Sequence, residues 1–407
     1  MKAQNAMNKT ETKPKLKSNK ANIIALAAAA AVFLGALLFI YGKGAPWEGH
    51  QATGMEGEYV EFEKAKVIEV LSESMEPDEA AEGAYKGSQE LSVIVKSGRY
   101  KGENMVVNNF FGPLSGVPVS AGDSVTLTVK TRAGEHSATV YEYNRIPTVA
   151  VFLVLFFIVI ILVGRMKGLK SLLGLVFTII CLFVILIPLL LKGAPTILST
   201  FVVCAYIAFV SFTILGGVHR KTVSAFLGTV SGALFAMLFG LAVQYFAKID
   251  GLRLEDSEPL LQLKYIGASI RLKGLLTAGI IISALGAVMD VSMSISSALE
   301  EVHAANPALS RKELFTSGMN IGRDMVGTMT NTLILALLGS EFTLIIFLYT
   351  RGLTFYHLFS TSFVTLETIS GISSSIGMIL AIPLTALISA ELITRKSAAK
   401  RSGAKRR

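Results

Sequence analysis

The feature that most constrains this chain is the recurrence of apolar runs long enough to cross a lipid bilayer. Hydrophobic residues make up 52% of its 407 residues, and charged residues only 16%. A membrane helix needs about 20 consecutive apolar residues, because each residue advances the helix about 1.5 Å through a hydrocarbon core about 30 Å thick. The sequence therefore predicts a polytopic α-helical membrane protein.

These runs predict about eight transmembrane helices, and a ninth stretch, residues 353–369, fits a span, a re-entrant segment or an interfacial one. The eight helices cover residues 21–41, 146–163, 169–191, 194–215, 223–247, 274–289, 324–350 and 371–392. On this path the segment 290–323, between the sixth and seventh spans, is a polar cytoplasmic segment. The first helix is expected to be an uncleaved signal anchor, since no small-residue cleavage pattern follows it.

Basic residues support one orientation for these spans. Lysines and arginines concentrate in loops on one side, which the positive-inside rule assigns to the cytoplasm; they are Arg165, Lys167, Lys170, Arg220, Lys221, Arg311, Lys312 and Arg323. Residues 1–20 and 393–407 form basic tails on that same side. We therefore expect a multi-pass protein of the cell (inner) membrane with both termini cytoplasmic, in which residues 145–392 form the multi-span domain.

Residues 42–144 have a different character and predict a small all-β extracytoplasmic domain. They hold nine basic against sixteen acidic residues and several short β-branched runs separated by turn signals. Val125, Leu127 and Val129 alternate with polar residues, as on a strand with one buried face. Strands of this number and length predict an OB-like barrel or a small sandwich. Residues 72–87 are polar and predict a loop.

Several function classes are disfavoured by what the sequence lacks. The β domain is acidic and has no basic groove, so nucleic acid is not an expected partner. No signature of a zinc protease, a serine hydrolase or a P-loop enzyme occurs, so no enzymatic activity is expected. The two cysteines, Cys181 and Cys204, lie in apolar runs without metal-binding spacing. No metal and no cofactor are predicted.

The stretch from Gly274 to Glu301 holds the first candidate site residues. Asp290, Ser294 and Ser297 follow one another at spacings of four and three residues, so a helix presents them on one face. A carboxylate at the end of an apolar span is costly unless it has a function or reaches the polar interface. The sequence leaves open a ligand site and a carboxylate that simply sits in interfacial water.

More polar side chains follow in the last third of the chain, namely Asp324, Asn331, Glu341 and Glu367. Carboxylates with amides and hydroxyls suit a cation, a proton or an amine-bearing solute. Interhelical hydrogen bonds are the simpler interpretation of the amide and hydroxyl groups. The small residues from Gly371 to Gly377 predict either close helix approach or, for residues 353–375, a broken segment lining a polar cavity.

Three motifs resemble the YibE/F family of bacterial membrane proteins. They are LGAVMDVSMSISSALE from Leu285, GRDMVGTMTNT from Gly322 and AIPLTA from Ala381. The resemblance extends over most of the chain, from about residue 21 to residue 392. It implies one N-terminal span, an extracytoplasmic β domain and a multi-span block. It brings only a permease-like label for function and no substrate or site residues.

Two functions follow as expectations. The first is permease-like transport of a small solute, a cation or a proton through a polar site in the C-terminal helices. The alternative is a non-transporting membrane scaffold or accessory subunit, whose β domain binds an extracytoplasmic protein partner. A transporter needs a wet polar pocket reaching the middle of the membrane, whereas a scaffold can keep its polar groups in dry helix contacts. In both cases the lipid bilayer is a partner.

Overall fold

The computed structural model describes residues 16–41, 58–79, 81–132, 135–249, 260–261, 264, 269–352 and 354–404. The chain forms two compact units. The barrel unit comprises residues 47–163, and the helical unit comprises residues 1–46 and 164–407.

Five strands of the barrel unit close into a barrel. They are β1 (Glu58–Pro77), β2 (Tyr85–Val95), β3 (Asn104–Phe111), β4 (Ser124–Arg132) and β5 (Glu135–Tyr143). Their order around the barrel is β1-β2-β3-β5-β4, with β1 also pairing with β4. All pairs are antiparallel except β3 with β5. The sequence predicts either a barrel or a small sandwich. The barrel is confirmed, and no sandwich forms in the described residues.

Alternating side chains fill this barrel. Val125, Leu127 and Val129 are fully buried, as their alternation on β4 predicts. Three buried polar side chains of the strands find hydrogen-bond partners. Glu63 accepts from the Ser97 hydroxyl and the Arg99 N–H. Gln89 bonds to the backbone of Val119, and Asn109 donates to the backbone carbonyl of Val117 and to the side-chain oxygen of Gln89. No pattern in the sequence predicts the buried pair of Gln89 and Asn109.

The predicted loop at residues 72–87 is wrong over most of its length. Strand β1 continues to Pro77 and β2 begins at Tyr85, and the two pair in register from Ser72 with Glu90 to Pro77 with Tyr85. Most side chains of this ribbon are exposed, so its sequence lacks the alternation that marks a half-buried strand. Only the short connection between Pro77 and Tyr85 is a loop.

Ten α-helices occur in the described residues. They are α1 (Leu16–Tyr41), α2 (Ile146–Ile180), α3 (Ile187–Leu191), α4 (Thr196–Gly216), α5 (Arg220–Ala247), α6 (Leu275–Ala305), α7 (Arg311–Ser340), α8 (Phe342–Thr350), α9 (Phe355–Ser360) and α10 (Ser362–Ala404). A π-helical turn, Cys181–Leu186, joins α2 to α3, and a 3₁₀ turn, Leu272–Gly274, precedes α6.

Six helical stretches in the described residues are long and apolar enough to cross a membrane, or seven if the bent pair α7–α8 counts as one span. Two of the predicted spans, residues 146–163 and 169–191, fall within a single stretch, Ile146–Leu191. Its backbone departs from helical geometry at Arg165, with φ of 48° and ψ of −132°. The count of eight spans therefore stays a prediction.

Some predicted segment ends differ from the structure. Helix α6 does not end near Met289 but continues to Ala305, because Val291, Ile295 and Leu299 beyond Asp290 are fully buried. Residues 290–323, for which the sequence predicts a polar cytoplasmic segment, are thus largely packed helix. Helix α1 already begins at Leu16 and α10 runs to Ala404, so both predicted basic tails are partly helical. The remainder of those tails, residues 1–15 and 405–407, lies outside the described residues.

Candidate functional site

Helices α5, α6 and α10 form the core of the helical unit, and glycines bring them close together. A methyl group on Gly232 of α5 would lie 2.6 Å from Val288 of α6 and 2.7 Å from Ala381 of α10. One on Gly377 of α10 would lie 2.6 Å from Ala236 of α5. The predicted role of the small residues at 371–377 in close helix approach is therefore confirmed at Gly377.

Paired hydroxyl groups join these three helices. Ser283 and Ser374 lie 2.6 Å apart, Thr385 donates to Ser292 at 3.2 Å, and the Ser296 hydroxyl lies 3.1 Å from both Ser224 and Ser389. Since the partners of α6 on α10 advance in the same direction along the chain, α6 and α10 run parallel. We call these seven residues the hydroxyl seam.

Two seam residues of α6, Ser292 and Ser296, lie on a different face of the helix from the predicted residues Asp290 and Ser294. Ser283, by contrast, shares the exposed face of Asp290, because seven residues separate the two. Ser292 and Ser296 are fully buried, whereas Asp290 and Ser294 are exposed and Ser297 is half-buried. The apolar periodicity of Val288, Val291, Ile295 and Leu299 marks the inner face, and Ser292 and Ser296 share it. The buried face of α6 can therefore be predicted from the sequence, and the predicted site residues Asp290, Ser294 and Ser297 lie outside it.

The chain breaks at Glu341, where α7 and α8 meet at an angle of 65°. Glu341 has φ of −98° and ψ of 14°, and its backbone N–H still bonds to the carbonyl of Leu337 at 3.2 Å. The 65° bend lies before residues 353–375, for which the sequence predicts a possible broken segment. Within that range the chain forms the short helix α9 and then α10, which is helical from Ser362 onward.

A pocket of about 290 Å³ lies at this break, between α7, α8 and α10. Glu341 and Glu367 both line it, and both side chains are half-buried. The remaining lining is almost entirely apolar and includes Leu337, Leu344 and Ile372. Among the described residues, neither carboxylate has a lysine, arginine or histidine as an ion-pair partner. We call this the two-glutamate pocket.

The other predicted site residues lie elsewhere. Asp324 and Asn331 are exposed on α7 and do not line the pocket. Asp290 lies seven residues beyond Ser283 on α6, and Glu367 lies seven residues before Ser374 on the parallel helix α10. At 1.5 Å per residue, this offset separates the two carboxylates by roughly 20 Å along the helix axes. Asp290 and Glu367 therefore do not share one small-molecule site.

Past the Ser296–Ser389 contact, ion pairs link the core helices to one another and to α7. Arg311 pairs with Glu391 at 2.6 Å, and Lys221 with Glu300 at 3.5 Å. The described residues contain no cluster of three or more histidine, cysteine or acidic side chains suited to hold a metal ion. The free cysteines Cys181 and Cys204 are both buried.

Comparisons with known proteins identify the family of this chain. A family model described as "YibE/F-like protein" matches residues 152–395, which is more than half of the chain and includes the hydroxyl seam and the two-glutamate pocket. No curated protein and no solved structure matches the chain. The chain therefore belongs to the YibE/F-like family.

Proposed function

We propose that this protein is a permease-like transporter that binds a small cationic solute, a metal cation or a proton at the two-glutamate pocket. The observation that carries the proposal is the presence of Glu341 and Glu367 in one apolar pocket at the break of a helix. Two carboxylates without a basic partner in an apolar setting favour a cation or a proton between them.

The broken helix supports this function. Transporters commonly build their binding sites from discontinuous helices, because the freed backbone groups and the polar side chains beside them can contact a solute. Non-helical backbone at membrane depth is tolerated only where protein or water surrounds it. The break at Glu341 adjoins the pocket, and α10 closes its other side with Glu367 and Thr368.

An unsatisfied hydroxyl near the pocket adds a second line of support. Ser375 lies one helical turn beyond Gly371, which lines the pocket, and its side chain is buried without a hydrogen-bond partner among the described residues. Buried polar groups usually find partners, so such hydroxyls are suited to ordered water or a polar ligand.

For the membrane arrangement we propose eight spans, with both termini on the cytoplasmic side of the cell (inner) membrane and the five-stranded barrel outside. An eighth span requires the stretch Ile146–Leu191 to cross twice, turning near Arg165. The basic loop residues given above support this orientation through the positive-inside rule. Labelling of single cysteines introduced on either side of Arg165 tests this membrane arrangement.

Ligand-dependent thermal stability tests the site without a known transport assay. We would record the unfolding of wild type, Glu341→Gln and Glu367→Gln against cations, amines and amino acids across pH. A ligand at a hundredfold excess over its Kd stabilises the folded state by about 2.7 kcal/mol. We expect at least one compound to stabilise the wild type and to lose that effect in both variants.

Glu301→Gln is the matched control, because Glu301 is an exposed carboxylate at the far end of α6. It should respond to the compound as the wild type does. A ligand effect that disappears in Asp290→Asn but persists in Glu367→Gln would move the site to α6 and overturn the proposal, as would no stabilisation by any compound. Counterflow of the stabilising compound in proteoliposomes then separates transport from binding alone.

The competing proposal is a membrane scaffold or accessory subunit, and one observation favours it. The seam hydroxyls bond to one another, so these polar groups are satisfied by helix contacts and are not available to a solute. A scaffold would bind an extracytoplasmic protein through the barrel unit. Binding of a cation at the pocket without any flux in proteoliposomes would favour this function.

A further inference from the structure

Two aromatic side chains stand exposed on the outside of the barrel. Phe62 on β1 and Tyr141 on β5 have exposed fractions of 60% and 57%. Their ring centroids lie 5.2 Å apart in an edge-to-face arrangement, so they form one continuous apolar ledge. Neither ring contributes to the barrel core, which is filled by the inward-facing side chains of the same strands.

The ledge borders a groove of about 690 Å³ within the barrel unit. The opposite wall is the beginning of α2, where Ile146, Val149 and Leu153 face the groove. The barrel therefore stands beside the first two turns of an apolar helix. The most apolar 18-residue window of that helical stretch has no buried residue, so its sides remain open to the surroundings.

A polar rim lies where the strand passes into the helix. Arg145 and Asn144 line the groove together with the apolar residues. The guanidinium of Arg145 pairs with Glu142 at 2.8 Å, yet its side chain remains 60% exposed. The Asn144 side-chain oxygen accepts the N–H of Ile146 at 3.3 Å, which starts the helix. Glu142 lines the groove as well, so the groove has an apolar body and a polar end at which the Arg145 guanidinium stays exposed.

We infer that this groove binds a phospholipid of the outer leaflet, with an acyl chain along Val149 and Leu153 and the phosphate near Arg145. Aromatic residues favour the boundary between hydrocarbon and headgroups, and arginine favours phosphate. A lipid is the fitting occupant because one wall of the groove is itself the start of an apolar membrane-length helix. The inference depends on α2 entering the bilayer and not on transport.

Tryptophan fluorescence of the full-length protein in lipid nanodiscs tests this inference. The sequence has one tryptophan, Trp47, which Trp47→Phe removes to give a silent background. Phe62→Trp or Tyr141→Trp then places a single reporter on the ledge. In nanodiscs of phosphatidylcholine with brominated acyl chains, we expect either reporter to lose most of its emission, while iodide in the water quenches it weakly.

Lys101→Trp in the same background is the control. Lys101 is exposed and follows Tyr100, whose hydroxyl lies 2.9 Å from the His136 ring, near the end of β5 remote from Tyr143. This reporter should be quenched by iodide and unaffected by brominated lipid. Equal behaviour of the ledge and control reporters towards both quenchers would overturn the inference. Two independent ledge positions guard against a local defect caused by one substitution.

Discussion

The hydroxyl oxygens of Ser283 and Ser374 lie 2.6 Å apart and link α6 to α10 near the two-glutamate pocket. Ser374 is fully buried, and its hydroxyl finds a partner in Ser283, which lies at the exposed edge of the helix contact. The pair also fixes how the two parallel helices are aligned along their axes. The separation of Asp290 and Glu367 follows from that alignment.

Removing this link should weaken helix packing modestly. We expect Ser283→Ala or Ser374→Ala to lower the free energy of unfolding by about 0.6 kcal/mol, the average for interhelical hydrogen bonds in membranes. The double variant should lose less than the sum of the two, because either substitution alone breaks the bond. Ser294→Ala, on the exposed face of α6, is the control. Strictly additive effects in unfolding titrations would contradict the contact.

Two separate glycine-to-alanine substitutions test the close packing of the core. Gly232→Ala should destabilise the protein by about 1–3 kcal/mol, because the added methyl would overlap Val288, Ala381 and the backbone oxygen of Gly377. Gly286→Ala on α6 has no atom within 4 Å of the new methyl and should be neutral or stabilising. Thermal unfolding in detergent measures both. Equal effects at the two positions would argue against this packing.

The buried polar pair of the barrel makes a third prediction. Gln89→Leu should destabilise the barrel unit by about 1–3 kcal/mol, because it leaves the Asn109 amide and the Val119 N–H without their acceptor. The neighbouring exposed substitution Glu90→Gln should have little effect. Calorimetry of the full-length protein gives the comparison. A fully stable Gln89→Leu variant would mean that these bonds are not formed.

A fourth prediction concerns alkaline pH. Burial, followed by the negative charge of Asp123, raises the pKa of the Tyr143 phenol in the folded barrel, and its hydroxyl donates to the Pro118 carbonyl. Because the pKa is raised in the folded state, the contribution of the Tyr143 phenol to the free energy of unfolding is complete below about pH 10, the pKa of an unfolded tyrosine. That contribution is lost as the pH rises through the folded-state pKa.

The difference in thermal stability between wild type and Tyr143→Phe should therefore be constant at neutral pH and shrink above about pH 10. Tyr141→Phe is the control, because Tyr141 is exposed on the barrel surface. A wild-type minus Tyr143→Phe difference that stays constant through this alkaline range would show that the folded and unfolded pKa values are equal.

The sequence by itself determined the class of this protein and much of its outline. Uninterrupted apolar runs and the alternation of Val125, Leu127 and Val129 are local patterns, and each depends only on which side of an element is buried. The motifs around Asp290 and Asn331 identified the family, which the match over residues 152–395 confirms. Glu341 and Glu367 could likewise be selected as candidates, because a carboxylate in an apolar run is conspicuous.

Only the tertiary structure decided which of these groups meet. Ser292 and Ser294 look alike in the sequence, yet one is buried in the hydroxyl seam and the other is exposed, because helix packing selects one face of α6. The 65° break and Glu367 lie around one pocket although they belong to different helices, and no local sequence pattern predicts that meeting. The long β1–β2 ribbon escaped prediction for the same reason, since cross-strand pairing, and not a buried face, holds it.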